Sequence, residues 1–244
     1  MIKFPVIPNT KLYLVGGCVR DYLLGKPFKD RDFVVVTPLR FDDLKAQIEG
    51  TPGCKVFEAK KEFMTLRCKI NDEVVDLVYP RKDCGYSDGR HPDSVESVDT
   101  LKEDASRRDF TINAMYMSED GNILDFFSGQ DDLDNKVIRT VGKPSDRFKE
   151  DYLRILRAVR FECELGFEIP VDVTTSMIIN RDGLKSVSVE RVREELNKAL
   201  LANPFRAFER IFYTLGLDEL FLDKGLSFEV TLRKRKFGMH GTSI

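Results

Sequence analysis

No stretch of this 244-residue chain approaches the roughly 20 consecutive apolar residues that a membrane-spanning helix needs. The opening run Met1-Ile2-Lys3-Phe4-Pro5 also lacks the apolar centre and small-residue cleavage site of a secretory signal. A cytoplasmic protein without membrane association is expected. The five cysteines, at positions 18, 54, 68, 84 and 163, are odd in number, scattered, and form no C-x-x-C. That disfavours a zinc site or a disulfide framework and predicts reduced thiols. A Walker loop is absent, because Gly25-Lys26 is followed by Pro27 where Ser or Thr is required. The G-x-G-x-x-G spacing of a dinucleotide fold is missing too, as are repeats and low-complexity segments. An excess of positive charge is lacking: 39 Lys and Arg stand against 41 Asp and Glu, for a net charge of −2. This excludes a protein that coats nucleic acid through overall charge, but not one that binds RNA through a local patch.

What is present is the make-up of a globular protein, 42% hydrophobic and 33% charged, long enough to bury a good core. Basic residues cluster at Arg81-Lys82, at Arg107-Arg108, at Arg147, Arg154, Arg157 and Arg160, and at Arg233-Lys234-Arg235-Lys236. The most informative feature is acidic. Asp30 and Asp32 lie two apart in Lys29-Asp30-Arg31-Asp32-Phe33-Val34-Val35-Val36. On a strand, residues i and i+2 point the same way, so both carboxylates share one edge of a hydrophobic strand. Two such groups repel unless a divalent cation neutralises them, and an oxygen-only site suits Mg²⁺ bridging to phosphates. Gly16-Gly17, just upstream, allows a phosphate to approach the backbone closely. The plain alternative is a polar strand entry. The order of strand, Gly-Gly, helix, turn and acidic strand favours metal-assisted phosphoryl chemistry.

Patterning predicts strands at Lys11 to Val15, Asp32 to Val36, Cys54 to Phe57, Phe63 to Ile70, Val74 to Tyr79 and Asn122 to Asp125. Helices are expected over Val19 to Leu24 and Phe41 to Glu49, and a hairpin turn at Asn71-Asp72. From about Ser145 the spacing becomes helical. It predicts helices over Arg147 to Leu165, over Val189 to Leu201 capped by Ser188, and from Pro204 to Leu215. The expected fold is α+β: an α/β head with a mixed sheet over residues 1–140, then an all-α region over 141–222 and a short basic segment over 223–244.

Two further groups carry chemistry. Asp76 interrupts the apolar strand Glu73-Val74-Val75-Asp76-Leu77-Val78-Tyr79, and beside Asp30 and Asp32 it reads as a third ligand or a general base. Arg107, Arg108, Asp109 and Asn113 fall within seven positions. Arginine forks suit triphosphate oxygens, and Asp and Asn suit ribose hydroxyls. A capped, salt-bridged helix end is the alternative.

Five segments occur in one order: Leu14-Val15-Gly16-Gly17-Cys18-Val19-Arg20-Asp21, Asp30-x-Asp32, Tyr86 to Pro92, Arg107 to Ala114, and Glu150 to Phe161. Together they resemble the class II tRNA nucleotidyltransferases (CCA-adding enzymes) and the similar bacterial poly(A) polymerases, over about Leu12 to Leu222. The resemblance implies a nucleotidyltransferase head followed by a helical neck and the start of a body. It implies two Mg²⁺ ions on Asp30 and Asp32, with Asp76 in the place of a third acidic residue that is often Glu. Gly16, Gly17 and Arg20 would support the triphosphate, and Arg107, Arg108, Asp109 and Asn113 the triphosphate and ribose. Tyr86 to Pro92 would belong to a mobile loop. Family members normally continue through a body and tail, so the basic run Arg233 to Lys236 is expected to replace some RNA contacts.

Asp151 and Arg154, three apart on the expected helix, would share a face and read the base, with Glu150 and Arg157 in support. Cytosine and adenine each present an amine beside a bare ring nitrogen, matching a carboxylate acceptor and a guanidinium donor. Uracil and guanine present the reverse, costing on the order of 1–3 kcal/mol per unsatisfied group. An i,i+3 salt bridge is the bland alternative. The expected activity is addition of C, A or both, from CTP and ATP, to the 3′ end of tRNA or another RNA. Poly(A) or other RNA tailing, and an inactive RNA- or nucleotide-binding protein, are the competing readings. Oligomeric state is left open.

Overall fold

The computed structural model describes residues 4–28, 31–70, 73–84, 94–98 and 100–225. Its head is a seven-stranded mixed sheet built from β1 (Lys11–Val15), β2 (Asp32–Val36), β3 (Lys55–Lys60), β4 (Thr65–Ile70), β5 (Glu73–Val78), β8 (Met115–Met117) and β9 (Ile123–Asp125), in the order β3-β4-β5-β2-β1-β8-β9. Only β2 and β5 among these neighbours pair in parallel; the rest are antiparallel. A separate hairpin joins β6 (Arg81–Cys84) to β7 (Ser94–Ser97).

The alternation of β2 decides which way the sheet faces. Phe33 and Val35 enter the main core, whereas Val34 enters a smaller core with Val15, Ala105, Ala114, Tyr116 and Val141. Asp32 therefore shares the face of Val34. Around the sheet lie α1 (Gly17–Leu23), α2 (Phe41–Glu49), α3 (Leu101–Ser106) and α4 (Gly129–Asp134). The helical half comprises α5 (Pro144–Glu150), α6 (Leu153–Leu165), α7 (Val171–Asn180), α8 (Val189–Ala202), α9 (Pro204–Phe208) and α10 (Asp218–Asp223). The main core runs without interruption from Leu14 and Phe33 of the sheet to Ile155, Val159, Val192 and Leu196 of the helices.

The expected strands form, with bounds shifted by a few residues. Phe63, expected in a strand, instead ends a 3₁₀ turn, Lys61–Phe63, before Met64 adopts a left-handed conformation (φ 52°). The β4–β5 hairpin closes with Ile70 paired to Glu73, while its turn residues Asn71 and Asp72 lie outside the described residues. The main departure is in the helix expected over Arg147 to Leu165. It is two helices, broken at Asp151, which is extended (φ −147°, ψ 104°). The Asp151 Oδ1 accepts the Leu153 backbone N–H at 3.1 Å, a local bond that competes with helix continuation. The helix from Pro204 is also shorter than expected: α9 passes into a π-helical turn, Glu209–Thr214.

Candidate active site

A cleft of about 640 Å³ opens between the head sheet and α6 and α8. Seven arginines and three aspartates line it, so the cavity favours a polyanion. Its acidic edge is Asp32, exposed at the first position of β2. The parallel register sets Asp76 directly beside Asp32 on the neighbouring strand, so the two side chains leave the same face. Asp76 is half-buried and lies 3.6 Å from the Arg67 guanidinium. Asp30 lies outside the described residues. Among the described residues no group of three His, Cys, Asp or Glu is placed to hold a metal ion. Among the described residues, Asp32 and Asp76 bring carboxylate oxygens to this edge, and the Cys18 thiol nearby is pushed up in pKa by burial.

Gly16 turns the chain from β1 into α1 at φ 83° and ψ −139°, a region that side chains other than glycine's rarely enter. A Cβ here would stand 3.6 Å from Arg108 Nη1, and one at Gly17 would stand 3.5 Å from Arg20 Nη2. The two glycines thus keep open the floor between two guanidiniums. Arg20 is buried, donates from Nη1 to Asn113 Oδ1 at 2.8 Å and pairs with Asp21.

Helix α3 begins with a reciprocal cap. Thr100 Oγ1 accepts the Glu103 N–H and donates to the Glu103 carboxylate at 2.6 Å. One turn on, fully buried Asp104 accepts Arg107 Nη2 at 2.8 Å, Arg108 Nη2 at 2.9 Å and Tyr116 Oη at 2.7 Å. Burial alone would raise its pKa. The Arg108 and Arg107 charges outweigh that and hold it at about 2. Asp109 behaves alike: burial opposes its charge, Arg157 outweighs the burial, and its pKa falls to about 2. Arg157 Nε reaches Asp109 Oδ2 at 2.9 Å, and Asn113 donates to Asp109 Oδ1 at 3.3 Å.

Asp151 and Arg154 both line the cleft, though not from one helix face as their spacing suggested. Asp151 sits in the break, where Arg191 Nη2 of α8 donates to its Oδ2 at 2.9 Å. Arg154 is on α6 and buried. It donates to Glu150 Oε2 at 2.6 Å, to the Arg147 carbonyl at 3.0 Å and, across to the head, to the Arg107 carbonyl at 3.0 Å. Glu150 is not itself a lining residue; it holds Arg147 and Arg154 from behind.

Gly16, Gly17, Arg20, Asp32, Arg107, Arg108, Asp109, Asn113, Asp151, Arg154 and Arg157 all meet in this cleft. Asp76 stands outside its lining. Sequence reasoning gave no site role to Asp104, Arg160, Phe161 or Arg191. The i,i+3 and i,i+4 spacing of Asp104 to Arg107 and Arg108 was a legible signal. No local signal linked Arg191 to Asp151, forty residues away. The loop segment Tyr86 to Pro92 and the basic run Arg233 to Lys236 lie outside the described residues.

A mixed sheet with an acidic strand edge facing an arginine-lined cleft is the architecture of a nucleotidyltransferase head. Residues 12–139 match the family described as "Poly A polymerase head domain", and residues 166–223 match "Probable RNA and SrmB- binding site of polymerase A". The chain belongs to this poly(A) polymerase and tRNA nucleotidyltransferase family. It is 39% identical over 221 residues to a CCA-adding enzyme of Bacillus subtilis, covering 90% of this chain and 54% of the relative. To that of Geobacillus thermodenitrificans it is 41% identical over 195 residues, covering 80% and 46%. The crystal structure of the Bacillus stearothermophilus CCA-adding enzyme in complex with CTP matches with a TM-score of 0.75 at 35% identity, covering 85% of this chain and 49% of that one. The Thermotoga maritima CCA-adding enzyme complexed with tRNA matches at 0.71 and 31%, covering 88% and 49%. The chain thus spans about half the length of the relatives it matches. Among the described residues no helix is long and apolar enough to cross a membrane.

Proposed function

We propose that the protein transfers C, A or both from CTP and ATP to the 3′ end of tRNA without a nucleic-acid template. The observation that carries this reading is convergence. One cleft holds the Asp32 edge, the arginines around Gly16 and Gly17, and the Asp151 and Arg154 pair. Relatives named as CCA-adding enzymes, and solved complexes of such enzymes with CTP and tRNA, support it.

In this proposal Arg20, Arg107 and Arg108 hold the triphosphate over the glycine turn, where forked N–H donors match phosphate oxygens. Asp109, kept ionised by Arg157, and Asn113 accept from and donate to the ribose hydroxyls. Asp151 accepts the exocyclic amine of cytosine or adenine, and Arg154 donates to the adjacent ring nitrogen. The bonds described for Arg154 occupy its Nη1 hydrogens and one on Nη2, so Nε–H and the second Nη2–H are available to a base. The RNA 3′-hydroxyl attacks the α-phosphorus, forming a phosphodiester as the bond to pyrophosphate breaks. Same-face carboxylates on neighbouring strands fit a hard divalent cation, and we assign Mg²⁺ to Asp30 and Asp32, with Asp76 as a third ligand or base. Bound there, the metal would offset charge on the attacking and leaving oxygens.

We assign residues 1–140 to the catalytic head, 141–222 to the neck and the start of a body, and 223–244 to a basic segment. Free, buried Cys18, Cys68 and Cys163 fit a reducing, cytoplasmic setting. Poly(A) addition is the second reading, favoured by the description of the head family. Incubating tRNA transcripts that end before CCA with each labelled nucleotide separates the two. Incorporation of C and A, with U and G refused, is expected. Long A tracts without C would replace the first reading by the second.

A further inference from the structure

The two faces of the head sheet are covered unequally. Leu66, Cys68, Ile70, Val75 and Leu77 of β4 and β5 enter the main core. The opposite face carries Asp32 and Val34, and its β1, β2 and β8 part is packed against Ala105 of α3 and Val141. Over β5, β4 and β3 that same face is open. The register across it runs Asp32, Asp76, Arg67, Glu58, and Lys69 stands opposite Lys55, as Thr65 does opposite Lys60. Phe57 lies in the β-bulge between Val56 and Glu58 and is 51% exposed, with Lys55 Nζ 5.7 Å from its ring centroid. Val74, opposite Lys69 on β5, is 47% exposed. Lys60 pairs with Glu58 at 3.0 Å and Arg67 with Asp76 at 3.6 Å, each between side chains in reach of water. Such pairs are worth little. The face keeps a positive excess, since Lys55, Lys60, Arg67 and Lys69 stand against Glu58 and Asp76.

Lysines on an edge strand commonly serve to repel a second sheet. That accounts for Lys55 and Lys60, but not for the exposed ring between them, nor for Arg67 and Lys69 one strand further in. An exposed ring among cations on a sheet face suits single-stranded RNA, because a base stacks on the ring while phosphates meet the cations. The sheet order says where such a strand leads. The Gly16-Gly17 turn follows β1 on one side of β2, whereas β5, β4 and β3 lie on the other. With the triphosphate over the glycines, a hydroxyl attacking in line with the leaving pyrophosphate comes from the β5 side. β3 is three strand spacings from β2, about 14 Å, within reach of nucleotides next to the reacting end. Building on the transferase reading above, we propose that the open face of β3, β4 and β5 docks the unpaired 3′ end of the RNA. Phe57 stacks a base, and Lys55 and Lys69 meet the phosphates, so that the terminal hydroxyl is led to the Asp32 edge.

Two tRNA ligands test this, one ending in unpaired CC and one trimmed back to the paired acceptor stem. Each is titrated against the parent, Phe57→Ala, Lys55→Gln and Lys69→Gln over a range of salt. Affinity for CTP, transfer from CTP or ATP at saturating tRNA, and the thermal midpoint are measured alongside. Phe57→Ala should weaken binding of the CC-ended tRNA by at least about fivefold and leave its salt dependence unchanged. Each glutamine should lower the slope of log affinity against log salt by about 0.7. Binding of the trimmed tRNA, CTP affinity, transfer at saturation and thermal midpoint should remain those of the parent. Equal losses on both tRNAs, or losses that follow the thermal midpoint, overturn the proposal. An active parent whose three variants bind the CC-ended tRNA as it does removes the docking surface and leaves the transferase reading. End-specific losses in a protein that transfers no nucleotide keep the surface and remove that reading.

Discussion

Asp104 and Asp109 carry the electrostatic strain of the cleft, since each is a carboxylate withdrawn from water and held charged by arginine. Both have folded-state pKa values of about 2, against an ordinary 3.8. Between those values the unfolded chain binds more protons, so stability rises with pH there. The contribution is fully present above about pH 4 and is lost as pH falls towards 2. Denaturant titrations from pH 5 to pH 2 should show that loss, and it should be smaller in Asp104→Asn and Asp109→Asn; an unchanged slope in both contradicts the assignment. Removing one partner of a buried ion pair typically costs about 3–5 kcal/mol. Asp104→Ala, which abandons Arg107 and Arg108 together, belongs in that range, read by chemical denaturation at pH 7. A cost under about 1 kcal/mol would mean the arginines find other partners. The arginines were conspicuous in the sequence because charged clusters are. The aspartate that orders them drew no role, because burial of a charge is decided by tertiary structure.

The break between α5 and α6 places Asp151 in the cleft, and its cause is spread over distant segments. Asp151 caps the Leu153 N–H, Arg191 of α8 holds its other oxygen, and Tyr152 packs on Gly183. A Cβ at Gly183 would come within 2.2 Å of the Tyr152 ring. Gly183→Ala should therefore displace Tyr152, destabilise the fold by about 1–3 kcal/mol and weaken rejection of UTP and GTP. Melting curves and nucleotide competition check it, and unaltered selectivity would detach Tyr152 from base choice. Asp151→Ala should lower discrimination by about 5- to 150-fold, the equivalent of the 1–3 kcal/mol set by an unsatisfied polar group, before CTP binding is lost. A variant that still excludes UTP and GTP as the parent does would contradict the base-reading role. Nothing in Lys149-Glu150-Asp151-Tyr152-Leu153 breaks a helix by propensity, so periodicity carried the expected helix straight through. β8 was missed for a related reason. Met115–Met117 is three residues long and buried on both faces, so it shows no alternation. β1, β2, β5 and α2, with a clear period and clean ends, were readable.

The head and the helices form one structure around the cleft. The main core crosses between them, and Arg157 to Asp109 and Arg154 to the Arg107 carbonyl join α6 to the Arg107–Asp109 segment of the head. Motifs separated by more than a hundred residues were recognisable in order along the chain. Their convergence on one cavity, and the exclusion of Asp76 from its lining, required the fold. Asp32 gives the most direct test, because it is exposed and its loss leaves the core untouched. CMP transfer to tRNA ending before CCA, with CTP affinity measured in parallel, should be compared for the parent and Asp32→Ala. The account predicts a variant that melts with the parent and binds CTP within several-fold, yet transfers at least about a thousandfold more slowly. Transfer by that variant at a rate near the parent's would contradict it.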